Sequence, residues 1–198
     1  MRHIVLDIET LSSFENAVVL QITAAMLPNI EEIESENDLF KEMPFINLKL
    51  EAASQLKRGR HVSKSTLEWW KSQGEEAKIA AFYPHVTDID PVDAMDMFEN
   101  WLEEIGYDPN NTVIWQRGSK DVDWLVSFWH AYGREFPMPW WKVRDVRTAV
   151  DVKGASSKFN GYPDITRDLV KMIPGYKMHD ALSDVRLAAL TLIHIGVV

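Results

Sequence analysis

The chain has 198 residues, enough for one compact domain or at most two small ones. It is 46% hydrophobic and 26% charged, which is globular composition, and the absence of cysteine excludes a disulfide framework, a thiolate zinc site and a cysteine nucleophile. Lysine plus arginine number 21 against 30 for aspartate plus glutamate, a formal net charge of −9 that excludes a whole-surface basic grip on nucleic acid but not a local basic groove or an acid site offset by cations.

Residues 3–9 alternate as a strand, with Ile4, Leu6 and Ile8 on one face and Val5, Asp7 and Glu9 on the other. Residues 17–27 and 45–50 read as a second and a third strand, joined through the acidic 28–42 stretch as a hairpin connection. From about 64 to 106 the pattern turns helical. Ser65-Thr66-Leu67-Glu68 supplies a hydroxyl cap and a first-turn glutamate, and residues 91–105 carry Ala94, Met97, Phe98, Trp101 and Ile105 at helical spacing. A short strand at 112–115, a helix at about 121–132, a last strand at 142–146 and a helix at 180–195 follow, with loops at 137–139 and 153–163. This order predicts an α/β mixed sheet flanked by helices, and no shift in composition divides residues 1–198 into more than a single domain. No run approaches the roughly 18 apolar residues of a membrane span, and Asp7 comes too early for the apolar core of a signal peptide, so a soluble cytoplasmic protein with no membrane contact is expected.

Asp7 and Glu9 leave one face of a strand whose other residues are apolar. Two unpaired carboxylates there cost several kcal/mol, so arginine partners or divalent ions must offset them. Asp121 begins a stripe of Trp124, Leu125, Phe128, Trp129 and Tyr132, whereas Asp123 falls off it. Alone, Asp121 would be an ordinary helix-start carboxylate. Asp184 lies within the stripe of Ala181, Val185, Ala188, Ala189 and Leu192. His179 precedes it by five residues, so a shared site requires His179 on the loop before the helix, with Asp180 as its cap. Four carboxylates from three separate elements, without cysteine, suit Mg²⁺ or Mn²⁺. Such a cluster typically holds two ions about 3.5–4 Å apart and serves phosphoryl transfer, with a neutral histidine accepting a proton from the attacking water.

This set resembles the DEDDh exonucleases, which have the ribonuclease H-like fold. That family carries D-x-E in a first strand, a middle aspartate near a helix start and H-x4-D in a late helix; here these are Asp7-Ile8-Glu9, Asp121 and His179 to Asp184. The likeness is to its phage and prophage branch, related to a mycobacterial exoribonuclease branch, and rests also on residues 65–73 (STLEWWKSQ), 113–118 (VIWQRG) and 141–148 (WKVRDVRT). The family usually has an apolar or aromatic residue before the middle aspartate, where this chain has Lys120. The stripe register and the spacing to Gly133 favour Asp121 over Asp123.

The resemblance implies a mixed five-stranded sheet and metal-dependent hydrolysis at the 3′ end of single-stranded DNA or RNA, releasing nucleoside monophosphates. It casts Asp7, Glu9, Asp121 and Asp184 as ligands of two Mg²⁺ or Mn²⁺ ions, with Glu9 also reaching the terminal 3′-hydroxyl. His179 is the general base, for which the rate should rise from about pH 6 to about pH 8. Thr10 and Leu11 line the pocket of the terminal nucleotide through backbone and apolar contact. Residues 57–64 are the most basic stretch, making Arg60 and Lys64 candidate phosphate contacts, and Trp69 is a candidate stacking platform because adjacent Trp69 and Trp70 cannot share one core. The phage likeness favours DNA over RNA. A structure-selective endonuclease on the same fold, or a silent nucleic-acid-binding domain, are the competing readings, and a monomer or a homodimer is consistent with the family.

Overall fold

A computed structural model describes residues 1–29 and 36–198. Five strands form one mixed sheet in the order β3-β2-β1-β4-β5, with β1 at Arg2–Thr10, β2 at Val19–Met26, β3 at Phe45–Lys49, β4 at Thr112–Gln116 and β5 at Val143–Asp145. β2 pairs antiparallel with both β1 and β3, whereas β4 runs parallel to β1 and β5 parallel to β4. The expected central position of the acid-bearing strand holds. Its alternation puts Ile4, Leu6 and Ile8 into a core with the helices α5 (Pro91–Glu104) and α6 (Asp121–Ala131), while Val5 faces α7 (Val146–Val152), α8 (Thr166–Lys171) and α9 (Ala181–His194). A third apolar cluster closes the end of the β1–β2 hairpin, where Leu11, Val18 and Leu20 pack with Trp70 of α3 (Lys64–Ser72) and Ala77 of α4 (Glu75–Ala77). Among the described residues no helix is long and apolar enough to cross a membrane.

Several elements differ from the sequence reading. The cap of α3 is Ser63, whose hydroxyl accepts from the Thr66 amide, two residues ahead of the expected start. On α5, Met95 takes the core position and Met97 points outward. The 28–42 stretch contains a helix, α1 (Glu36–Glu42), and the rest of the expected connection, 30–35, lies outside the described residues. The last strand stops at Asp145 because the Asp145 carboxylate accepts from the Arg147 and Thr148 amides and starts α7. Helices α2 (Ala52–Lys57) and α8 carry no periodic signal of useful length.

Candidate acid site and its surroundings

β1 delivers Asp7 and Glu9 to the α9 side of the sheet, two residues beyond buried Val5. Immediately after Glu9 the β1–β2 register slips, since Glu9 faces Gln21 but Thr10 faces Val19. A bulge at this point re-aims the strand end next to the acids. Helix α9 packs across β1 and β2 and brings Asp184 in its first turn. Asp180 caps α9 as expected, accepting from the Ser183 amide at 3.1 Å and the Ser183 hydroxyl at 2.9 Å. The Ser183 Oγ in turn accepts from the Lys177 amide at 3.0 Å, which ties down the loop carrying His179. His179 has a φ of 58°, a left-handed conformation unusual for a residue with a side chain. Asp121 opens α6 at the end of neighbouring β4 and is 6% exposed, whereas Asp123 is at the surface.

Ligand atoms of Glu9, His179 and Asp184 lie within 4.8 Å of one another. Asp7 belongs to the same cluster: burial first, then the charges of Asp184, Asp121 and Glu9, pushes its carboxyl well above the usual carboxylate range. Glu9 is pushed up by burial and by Asp184 and Asp121. Burial also raises Asp121 and Asp184, each to about 7. None of the four forms an ion pair among the described residues, and Asp121 Oδ2 is buried without a hydrogen-bond partner. Carboxylate oxygens left in this state, with an imidazole beside them, match the donor chemistry of Mg²⁺ or Mn²⁺. His179 has the opposite shift, because partial burial disfavours its charged form and lowers its pKa below 6.5.

The expected substrate contacts separate. Trp69 is 40% exposed and stands edge-on to the His179 ring at 4.8 Å between centroids, while Trp70 is wholly buried with its indole N–H on the Thr10 carbonyl at 3.0 Å. Thr10 is buried, its hydroxyl donating to the Ser12 carbonyl at 2.8 Å. Leu11 is buried too, its amide donating to the Val18 carbonyl and its carbonyl accepting from Ser63. The Thr10 carbonyl and both backbone groups of Leu11 are therefore occupied within the protein, by Trp70, Val18 and Ser63. Arg60 does not offer its guanidinium to solvent: Nε donates to the Ala17 carbonyl at 2.7 Å and Nη1 to the Ser127 carbonyl at 3.1 Å, because the 58–61 turn packs onto α6. Lys64 is exposed and lies 3.8 Å from Glu68 on its own helix.

One charged neighbour has no assigned role in the sequence reading. Arg117, just past β4, counteracts the upward shifts of Asp7 and Asp184. Its Nη2 donates to the Gly161 carbonyl at 2.7 Å and its Cζ sits 3.4 Å from the centre of the Tyr162 ring.

The family model described as the Rv2179c-like 3′–5′ exoribonuclease domain matches residues 2–194. An exodeoxyribonuclease of Enterobacteria phage T4 is 31% identical over 162 residues, covering 74% of this chain and 70% of its own. Among solved structures, the nuclease domain of 3'hExo, a DEDDh family member bound to rAMP, covers 98% of this chain and 92% of its own at a TM-score of 0.62 and 12% identity. Cell-death related nuclease 4 (CRN-4) covers 98% of this chain and 64% of its own at a TM-score of 0.58 and 15% identity. At such identities the structural likeness speaks for the fold alone.

Proposed function

Because the chain belongs to the Rv2179c-like 3′–5′ exoribonuclease domain family of DEDDh exonucleases, and is a 3′–5′ exonuclease on that ground, we propose that residues 1–198 act as one catalytic domain releasing nucleoside monophosphates from the 3′ ends of single-stranded DNA. The observation that carries the site assignment is the convergence of four carboxylates, Asp121 buried and Asp7, Glu9 and Asp184 half-buried, without ion pairs among the described residues, beside a histidine held in a left-handed turn. In this reading Asp7, Glu9, Asp121 and Asp184 hold two Mg²⁺ or Mn²⁺ ions. When bound, the ions supply Lewis-acid activation of the phosphodiester and of the attacking water.

His179 accepts the proton of that water through a ring nitrogen, and its partial burial keeps it neutral and ready to do so. The Trp69 edge against His179 fixes the ring, and the exposed remainder of the indole offers a face to a base. Glu9 would help to hold an ion and would also contact the terminal 3′-hydroxyl. Replacing Trp69 by Ala should raise KM for an oligonucleotide about tenfold, within the 1–3 kcal/mol that base stacking supplies, with Trp69→Phe retaining most of the affinity. An unchanged KM in steady-state assays would remove Trp69 from the substrate path.

The name of the phage relative supports DNA as the substrate; the description of the matched family supports RNA as a second reading. A time course on 5′-labelled single strands of each, with Mg²⁺ or Mn²⁺ and a chelator control, tests both. The expected outcome is a ladder shortening from the 3′ end, faster on DNA and absent in chelator. A faster RNA ladder selects the second reading, and cleavage of circular single-stranded DNA, which has no ends, defeats the exonuclease assignment.

A further inference from the structure

We infer that Arg117 is the internal counter-cation of the acid pocket, a positioning residue that keeps the carboxylates together before divalent ions arrive and opposes those ions once they bind. β1 and β4 run parallel with Val5 beside Trp115, and both side chains face the α9 core. Beyond that pair β1 continues to Asp7 while β4 ends at Gln116, and Arg117, the next residue, lies close enough for its charge to act on Asp7 and Asp184. The guanidinium is fixed from behind by the Gly161 carbonyl and the Tyr162 ring. That backing is rigid: Gly161 has a φ of 69° and lies so close to Arg147 that an added Cβ would stand 2.4 Å from its Cγ.

The other two donor positions, Nε and Nη1, are buried and have no hydrogen-bond partner. Being closed off, they cannot receive an incoming phosphate, so a substrate grip is not what orients them. The unneutralised groups on that side of the sheet are the acids themselves, and Arg117 forms no direct ion pair with any of them among the described residues. A cation set back in this way acts on several carboxylates at once, because Coulomb energy falls only with the first power of distance. Its field on a dication is repulsive and twice as large. The inference rests on the metal-dependent reading of the site for its second half only.

The test uses the full chain without nucleic acid. In Arg117→Gln, Mn²⁺ titrated by calorimetry should bind at least about threefold more tightly than in the parent. In chelator at about pH 8, above the ordinary carboxylate range, the same variant should melt on the order of 5 °C lower. Arg117→Lys, which keeps the charge, should bind Mn²⁺ within about twofold of the parent. Asp7→Asn should raise the melting temperature more in the Arg117→Gln background than in the parent, since a carboxylate deprived of its cation costs more. A residue that merely braces the 159–162 turn would lower the melting temperature without tightening Mn²⁺, and its shift would simply add to that of Asp7→Asn.

Arg117→Gln binding Mn²⁺ no more tightly than the parent, or an Asp7→Asn gain in melting temperature no larger in the Arg117→Gln background than in the parent, overturns the assignment. Should Arg117→Gln not purify as a folded protein, purification of the double variant supports the assignment and its failure too overturns it. The melting comparison needs neither nucleic acid nor metal. A parent that binds no Mn²⁺ therefore defeats the metal reading and leaves the melting comparison to decide the role of Arg117 in the metal-free protein.

Discussion

Asp7→Asn is expected to abolish nuclease turnover and, in the same preparation, to make the metal-free protein more stable. The loss of activity should reach about three orders of magnitude, the several kcal/mol that a correctly held ion contributes to a phosphoryl-transfer transition state. The gain in stability has a different origin. Asp7 is half-buried among three other acids, so in the absence of ions its charged form has little water and no adequate counter-charge. An isosteric amide removes that charge and keeps the shape. In chelator at about pH 8 the variant should melt on the order of 5 °C above the parent.

The pH dependence of the parent follows from the same cluster. A carboxyl whose folded-state pKa exceeds its unfolded value binds protons more tightly when folded. Its stabilising contribution is complete below the unfolded value and is lost as pH rises through the folded one. For Asp121 and Asp184 the shift runs from 3.8 to about 7, so the metal-free protein should lose stability as pH rises across that window, and Mn²⁺, which binds the ionised form, should restore it. Calorimetric melting across that range, with and without Mn²⁺, checks both the direction and the cancellation. A metal-free protein that grows more stable across the window would contradict the clustering of the four acids.

His179→Asn should lower turnover by about 10²–10⁴ while leaving most of the Mn²⁺ affinity in place, because the carboxylates remain. Asn is the informative replacement since it tolerates the left-handed backbone at φ 58°, whereas Ala would add strain to the lost imidazole. Burial lowers the His179 pKa, so the parental rate should complete its rise at a lower pH than a solvent-exposed imidazole would give. That is earlier than the rise from about pH 6 to about pH 8 expected from an ordinary histidine. In His179→Asn this limb should vanish from single-turnover profiles. A collapse of Mn²⁺ binding in the variant would instead make His179 an ion ligand, a role its distance to Glu9 and Asp184 permits.

The acids were legible in the sequence because each interrupts an apolar pattern: Asp7 and Glu9 in a buried strand, Asp121 and Asp184 in helix stripes. Such interruptions mark side chains that the fold buries at a cost. The central strand and the helices α5, α6 and α9 were legible for a related reason, since each runs long enough for its period to show. Helices α2, α7 and α8, of six or seven residues, complete fewer than two turns and leave no periodic trace. The basic run 57–64 gave charge without direction, and only the packing of its turn against Ala17 and Ser127 shows that Arg60 faces inward. Arg117 could not be matched to Asp7 from sequence, because their proximity depends on β4 lying next to β1, a pairing of segments more than 100 residues apart.

Helix α9 supplies Asp184 directly and His179 through the loop that Asp180 and Ser183 lash to its first turn. The proposed base and one ligand are thus fastened to a single rod, and Asp7 and Glu9 to the strand beneath it. Because that rod is buried along its length against β1 and β2, the two groups keep one fixed spacing and meet the strand acids as a pair.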